Sequence, residues 1–576
     1  MTPPQPNADT DPTPDPFRWN RADTAQALHD FDHPDDPHRS QRAAAHQAGV
    51  PRSTLRHWLR RRRHPGLESS VADFLESPAG HRFLRRLVLA AHVAFHLAGP
   101  AGLRALGRFL HLAQLDRLVG ASFGTQQALA IRLQQELVTY ADHERQRLAA
   151  TMPRKTLTVC PDENFHGQQA CLVAVEPRSN FLLLEAYHPR RDGDSWTAAL
   201  KQALAGLPVE VVQVTSDQAK GLLALAHDGL EAQHSPDLFH GQRDLSRAVS
   251  GALHRHTEAA AKEQERAGGH AAALRQEQEQ YERGPRPPGR PPDFVTQLAL
   301  ADSCVRHAAA ALQRCQRRQE RAREAVRGLA DDYHPFDATT GRPVTAAAVD
   351  TRLRQRVQTV ADIAVEAGLG ESSREALAKV RRWLVPVVAS LAWYWQMVRE
   401  LLRDLGLTAR QRRAVREQLL AGLYWQRQAS RGRDAEQKRQ RRALAARLLA
   451  AAWSARGPLG RLSEERRAAL VAVAEEAVAL FVRSSSCVEG RNGQLALYHH
   501  GQGPLSALRL RSLTAVHNYV VERADGTTAA ERFFGSKPRP VFEWLLERMP
   551  ELPRPARKRP SAPEGTTTAA EGWPNP

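Results

Sequence analysis

Residues 156–240 are the one stretch of this chain where helical periodicity gives way to extended periodicity, and the order of segments there limits the available folds. LTVCPD (157–162), QACLVAV (169–175) and FLLLEAY (181–187) are β-rich, and the EPRSN between the last two is short enough for a hairpin. SWTAALKQALAGL follows as a helix, with Asp194 as its cap and Pro208 as its stop. VEVVQVTS (209–216) is almost continuously apolar, as befits a strand covered on both faces. Asp217 ends it, QAKGLLALAHDGL (218–230) reads as a helix, and QHSPDLFH (233–240) adds a brief last extended segment. Three strands, helix, strand, helix and short strand predict an α/β core around a mixed five-stranded sheet.

Three acidic residues stand out by position. Asp162 ends the first predicted strand, Asp217 ends the fourth, and Glu489 opens a late helix in SSSCVEGRNGQLALYHHG. Carboxylates at the ends of neighbouring strands, closed over by a third from a helix, suit a pair of hard divalent cations, Mg²⁺ or Mn²⁺ rather than Zn²⁺. Glu163 stands beside Asp162, and alternation from Leu157 and Val159 does not decide which of the two faces the metals; Asp162 is preferred because the partner strand also ends on Asp. Glu475, Glu476 and Glu522 are further candidates for the third position. Glu489 is preferred because small residues precede it and GRNG follows, leaving room for a phosphodiester backbone that Arg491 and Asn492 would contact.

The rest of the chain reads as helix. Residues 40–63 (SQRAAAHQAGVPRSTLRHWLRRRR) hold a short helix beginning at Ala43, a turn at Gly49, Val50 as a plug, and a second, basic helix burying Leu55, Trp58 and Leu59. That is a helix-turn-helix pattern, with Arg52, Ser53, Thr54, Arg56, His57 and Arg60 placed to meet DNA. Helices fill 66–153, and a long helical stretch covers 241–483, with a stiff PRPPGRPPD linker (285–293) and its most core-like segment at 384–407. The leader (1–39) and the Pro- and Thr-rich tail (552–576) read as disordered. The 81 Lys and Arg against 63 Asp and Glu give a net charge of +18, clustered at 60–63 and 427–442, which points to a polyanionic partner. No apolar run is long enough for a membrane span. Five cysteines without a CxxC pair fit a reducing cytoplasm, and the Arg- and Ala-heavy, Lys-poor composition suggests a bacterial source.

With these residues in view, the chain resembles bacterial insertion-sequence transposases of the DDE superfamily. The segments DEN, SDQAKG and VEGRNG carry the likeness, and Asp237-Leu-Phe-His240 is similar to the C/D-x-x-H motif of hAT-like and Mutator-like members. The resemblance implies a ribonuclease H-like catalytic core in two parts (154–240 and 484–551), a large all-α insertion between them (241–483) and an N-terminal helix-turn-helix (40–65). It implies Asp162, Asp217 and Glu489 as the metal-binding catalytic triad. His240 would lie near the scissile or flanking phosphate, with Asp237 supporting the site. The expected substrate is double-stranded DNA, both terminal repeats and target. The expected assembly is a homo-oligomer, and the expected location a bacterial cytoplasm, associated with the nucleoid. A non-catalytic DNA-binding regulator, or a decayed transposase, would share the charge and the helix-turn-helix without needing the triad.

Overall fold

The computed structural model describes residues 21–34, 40–62, 68–286, 288–502, 505–549 and 551–555. The chain divides into two compact units, one of residues 1–152, 166–168 and 493–576, the other of 153–165 and 169–492. Among the described residues no helix is long and apolar enough to cross a membrane.

In the first unit, α1 (Arg21–Asp32), α2 (Gln41–Gln47) and α3 (Arg52–Arg62) share a small core of Ala27, Leu28, Ala44, Ala45, Val50, Leu55 and Trp58. Ser40 caps α2 by accepting the Ala43 amide at 3.2 Å, so the helix starts two residues before the predicted Ala43. Gly49 takes φ = 63°, a left-handed conformation that suits glycine and lets α3 leave at once. The leader is not wholly irregular as expected. Ala27, Leu28 and Phe31 are too few to announce a helix in a Pro- and Asp-rich stretch, yet they cover the seam between α2 and α3. Residues 1–20 and 35–39 of that leader lie outside the described residues. The tail also begins packed: Leu552 is buried and Pro553 accepts the Gly120 amide at 2.7 Å. Most of it, from 556 on, lies outside the described residues.

The second unit holds the sheet, β1 (Lys155–His166), β2 (Gln169–Glu176), β3 (Phe181–His188), β4 (Val209–Ser216) and β5 (Gln233–Pro236), in the order β3-β2-β1-β4-β5. β2 and β3 pair antiparallel, while β4 runs parallel to both β1 and β5, so the sheet is mixed as predicted. Val159, Cys160, Leu172, Val173, Ala174 and Val214 are sealed within it. The Gly193–Leu204 helix lays Trp196 and Leu200 into the core, and its cap is Asp192, whose carboxylate accepts the Ser195 amide at 2.9 Å, not Asp194. After β5 the chain departs into the Leu238–Arg283 and Phe294–Asp332 helices, joined through the proline-rich linker, and then into a bundle built on the Glu371–Arg403 helix. Leu384, Val387, Leu391, Tyr394 and Val398 of that last helix are buried with Tyr424, Trp425 and Phe481 in one continuous core, and Val212 of β4 packs against it. The bundle therefore rests directly on the sheet.

Candidate active site

Strand register sets the geometry of the acidic residues. Thr158 and Val159 of β1 stand opposite Gln213 and Val214 of β4, after a bulge between Leu157 and Thr158. Asp162 and Asp217 each lie three residues beyond the paired valines, so they are level on neighbouring strands. Asp162 is not at a strand end as expected, because β1 runs on to His166 in partnership with β2; only its pairing with β4 stops short. Parallel pairing of Ser216 with Pro236 likewise sets Asp217 beside Asp237, whose amide donates to the Ser216 carbonyl at 2.9 Å.

Alternation along β1 separates the two adjacent carboxylates. Glu163 faces the Gly193–Leu204 helix, where Arg191 Nη1 (2.8 Å) and Trp196 Nε1 (3.3 Å) donate to it. Asp162 faces the other way, with Cys160 and Thr158 on the same side. There it meets the Ser486–Gln502 helix: Asn492 Nδ2 donates to Asp162 Oδ2 at 2.8 Å, and the Cys160 and Cys487 thiols share a hydrogen bond that, with burial, holds Cys160 well above its ordinary pKa.

Three anchors fix the start of that helix. Asp237, buried, accepts the Phe239 amide (2.7 Å) as the cap of the Leu238–Arg283 helix, and its other oxygen accepts both the amide (3.0 Å) and the hydroxyl of Ser485. Asn492 reaches β1. Arg491 makes a two-pronged ion pair with Glu185 of β3, Nε and Nη2 each 2.7 Å from a carboxylate oxygen, with both side chains buried. Arg491 thus ties the helix to the sheet instead of facing a solvent phosphate, as its sequence setting had implied. Asp237 serves as a stitch between the end of β5 and the point where the chain returns from the bundle. Ser485→Ala should cost about 1.5–3 kcal/mol, the worth of a hydrogen bond to a charged acceptor, and chemical unfolding reads this directly. An unchanged unfolding midpoint would show that the hydroxyl holds nothing.

Glu489 lies on the same helix, half-exposed, with His240 Nε2 at 4.0 Å from its Oε1. Arg243 Nη2 lies 2.8 Å from His240 Nδ1. An arginine can only donate, so Nδ1 accepts and the ring proton rests on Nε2, toward Glu489. Burial first, and then the charges of Asp217 and Glu489, push Asp162 up to about 6, against the Glu163 amide and His240, which pull it down. These four side chains therefore share one electrostatic neighbourhood. Two of the other acidic candidates have partners elsewhere on the sheet. Glu476 accepts from Thr156 Oγ1 (2.9 Å) at the opposite end of β1, Glu475 pairs with Arg178 (3.6 Å), and Glu522 lies in the first unit.

Carboxylate and amide oxygens are the hard donors that a divalent cation takes. Burial, and after it the neighbouring carboxylates, have raised the affinity of Asp162 for a proton, which a cation would replace. Among the described residues no Lys or Arg pairs with Asp162, Asp217 or Glu489. Asn492 Oδ1 is buried beside Asp162 with no hydrogen-bond partner, an orphan acceptor that a cation or its bound water would satisfy. As they stand, no three His, Cys, Asp or Glu side chains among the described residues lie close enough together to hold a metal ion. Sequence reasoning missed Glu185, Ser485 and Arg243. A glutamate inside the apolar run FLLLEAY was the visible signal for the first, since a charge buried in a strand demands a partner.

Compared with known families, residues 415–561 match one described as a family of unknown function, DUF6399. That stretch takes in Glu489, Arg491 and Asn492 but neither aspartate. No curated protein and no solved structure matches the chain.

Proposed function

We infer that the chain is a DNA transposase of the DDE type, cutting DNA at the ends of its own element and joining the freed 3′-ends to a target. The observation that carries this reading is the level placement of Asp162 and Asp217 on adjacent parallel strands, with Glu489 returned to them across a helical stretch of more than 240 residues. The core is of the ribonuclease H-like kind, and 241–483 is its insertion. Mg²⁺ or Mn²⁺ held by Asp162, Asp217 and Glu489 would activate the attacking water or 3′-hydroxyl and stabilise the leaving oxygen.

The chain's own residues do the positioning. Asn492 holds the Asp162 carboxylate in one orientation, and Asp237 with Ser485 holds the helix that carries Glu489. His240 presents an N–H beside Glu489, where a phosphate oxygen can accept it. A Cβ at Gly490 would meet nothing, so no packing demands glycine at that helical position; open space beside Glu489 suits the approach of a phosphodiester backbone. In the first unit, α2 and α3 form the helix-turn-helix. Leu55 and Trp58 face inward while Arg52, Ser53, Arg56, His57 and Arg60 are exposed, with Thr54 partly so, ready for a major groove. Joining two ends requires more than one subunit, so an oligomer is expected on DNA.

The test uses duplex DNA carrying the sequences that flank the reading frame. Wild-type protein in Mg²⁺ should cut it and give joined products, and Asp217→Asn should lower the rate by ~10³-fold or more, since a metal ligand supplies several kcal/mol of transition-state stabilisation. Equal cutting by both proteins overturns the assignment. Binding without any cutting identifies a DNA-binding regulator or a decayed enzyme.

A further inference from the structure

We propose that one exposed ridge of the Leu238–Arg283 helix is a track for nucleic-acid phosphates, leading away from the carboxylate cluster. The inference rests on the DNA-acting reading above. The ridge begins at His240, beside Glu489, and continues through Arg243, Arg247 and Arg255, all three exposed. Intervals of four and eight residues keep these arginines on one side of a helix, over a rise of ~18 Å. At ~3.4 Å of axis per phosphate on each strand, that length follows about five phosphates.

Charge along the ridge is unevenly matched. Asp244 is met by Lys379 (2.8 Å) and Glu258 by His254 (3.5 Å), while Arg323 and Arg327 lie 3.6 and 3.7 Å from Glu320. Arg247 and Arg255 have no ion pair or hydrogen bond among the described residues. Two cations left without counter-charge on one stripe, next to carboxylates that are already met by other cations, are placed for an outside anion.

The relief fits a strand of phosphates. Gly251 lies between the two arginines, and a Cβ there would meet only Arg255 Nη1, at 3.7 Å. On one side of it a groove is lined by Arg247, Arg255, Ser372 and Ser373, and on the other by Ser250, His254, Arg323 and Arg327. Guanidinium forks and serine hydroxyls are the donors that phosphate oxygens take, and a glycine notch lets a backbone come close.

The experiment uses the full chain and a 30-base-pair duplex of arbitrary sequence in EDTA, with affinity read by fluorescence anisotropy from 50 to 250 mM salt. Arg247→Gln/Arg255→Gln should bind about tenfold more weakly at the lower salt, and the slope of log affinity against log salt should shrink by about two. Arg247→Lys/Arg255→Lys keeps both charges and should return the wild-type slope. A Gln pair that binds like the wild type, or a Lys pair that loses the slope as the Gln pair does, overturns the proposal while leaving the DNA-acting reading in place. A wild-type chain that fails to bind the duplex at all overturns both.

Discussion

Replacing Arg491 with leucine is expected to lower the stability of the folded chain by about 3–5 kcal/mol. Glu185 is wholly buried on β3, and Arg491 satisfies both its oxygens at 2.7 Å. Without the guanidinium, an uncompensated carboxylate is left in the interior, and that desolvation, not the loss of attraction, sets the size of the effect. The double variant Arg491→Leu/Glu185→Leu removes both charges and should recover most of the loss, because two apolar side chains of similar volume need no counter-charge. Chemical unfolding of the four proteins in the cycle measures the coupling. A single-variant cost below ~1 kcal/mol would mean that water reaches Glu185. Arg491 lies two residues from Glu489, so the same substitution should also depress any cutting activity more than the unfolded fraction alone explains.

The second large effect has the opposite sign. Asp162→Asn should stabilise the metal-free protein above pH 6 by as much as ~3 kcal/mol. In the fold the carboxyl titrates at about 6 instead of its ordinary 3.8, so the folded chain holds that proton more tightly than the unfolded chain. Below pH ~4 both states are protonated and no penalty exists. As pH rises from 4 to 6 the unfolded chain releases the proton first, and folding stability falls. Above 6 the folded chain carries the full cost of a buried anion among other anions. Asparagine carries none, so the thermal midpoints of variant and wild type should coincide near pH 4 and separate by pH 7.5. Added Mg²⁺ should close the gap by stabilising only the wild type, and should do so less effectively as the pH falls below 6, where a proton competes for the same oxygen. Identical midpoints at pH 7.5 would refute the buried charge at Asp162.

Much of the sheet was legible because β-strands announce themselves locally. β4 was bounded correctly by its apolar run, and the level pairing of Asp162 with Asp217 follows from the same register that sets Thr158 against Gln213. What failed was whatever depended on distant partners. Alternation could not say whether Asp162 or Glu163 faced the site, because the answer lay with Arg191 and Trp196 on one side and Asn492 on the other. The role of Arg491 looked like a surface one since GRNG is polar; burial came from Glu185, some three hundred positions earlier. α1 was unreadable for a different reason, as three apolar residues suffice to close a core that is already small. Glu475 and Glu476 could be set aside only once their own neighbours were visible.

The seam at Asp237 and Ser485 also has a meaning in time. A ribosome adding ~5–20 residues per second releases β5 long before it has made Ser485, the partner that β5's cap is built to hold. Between those moments lies the whole helical bundle, tens of seconds of synthesis during which two aspartates are present and the glutamate is not. On the transposase reading proposed above, a nascent or prematurely terminated chain carries an unfinished cutting edge, and the longest detour in the polypeptide acts as a delay between exposing DNA-facing surface and acquiring the means to break a strand.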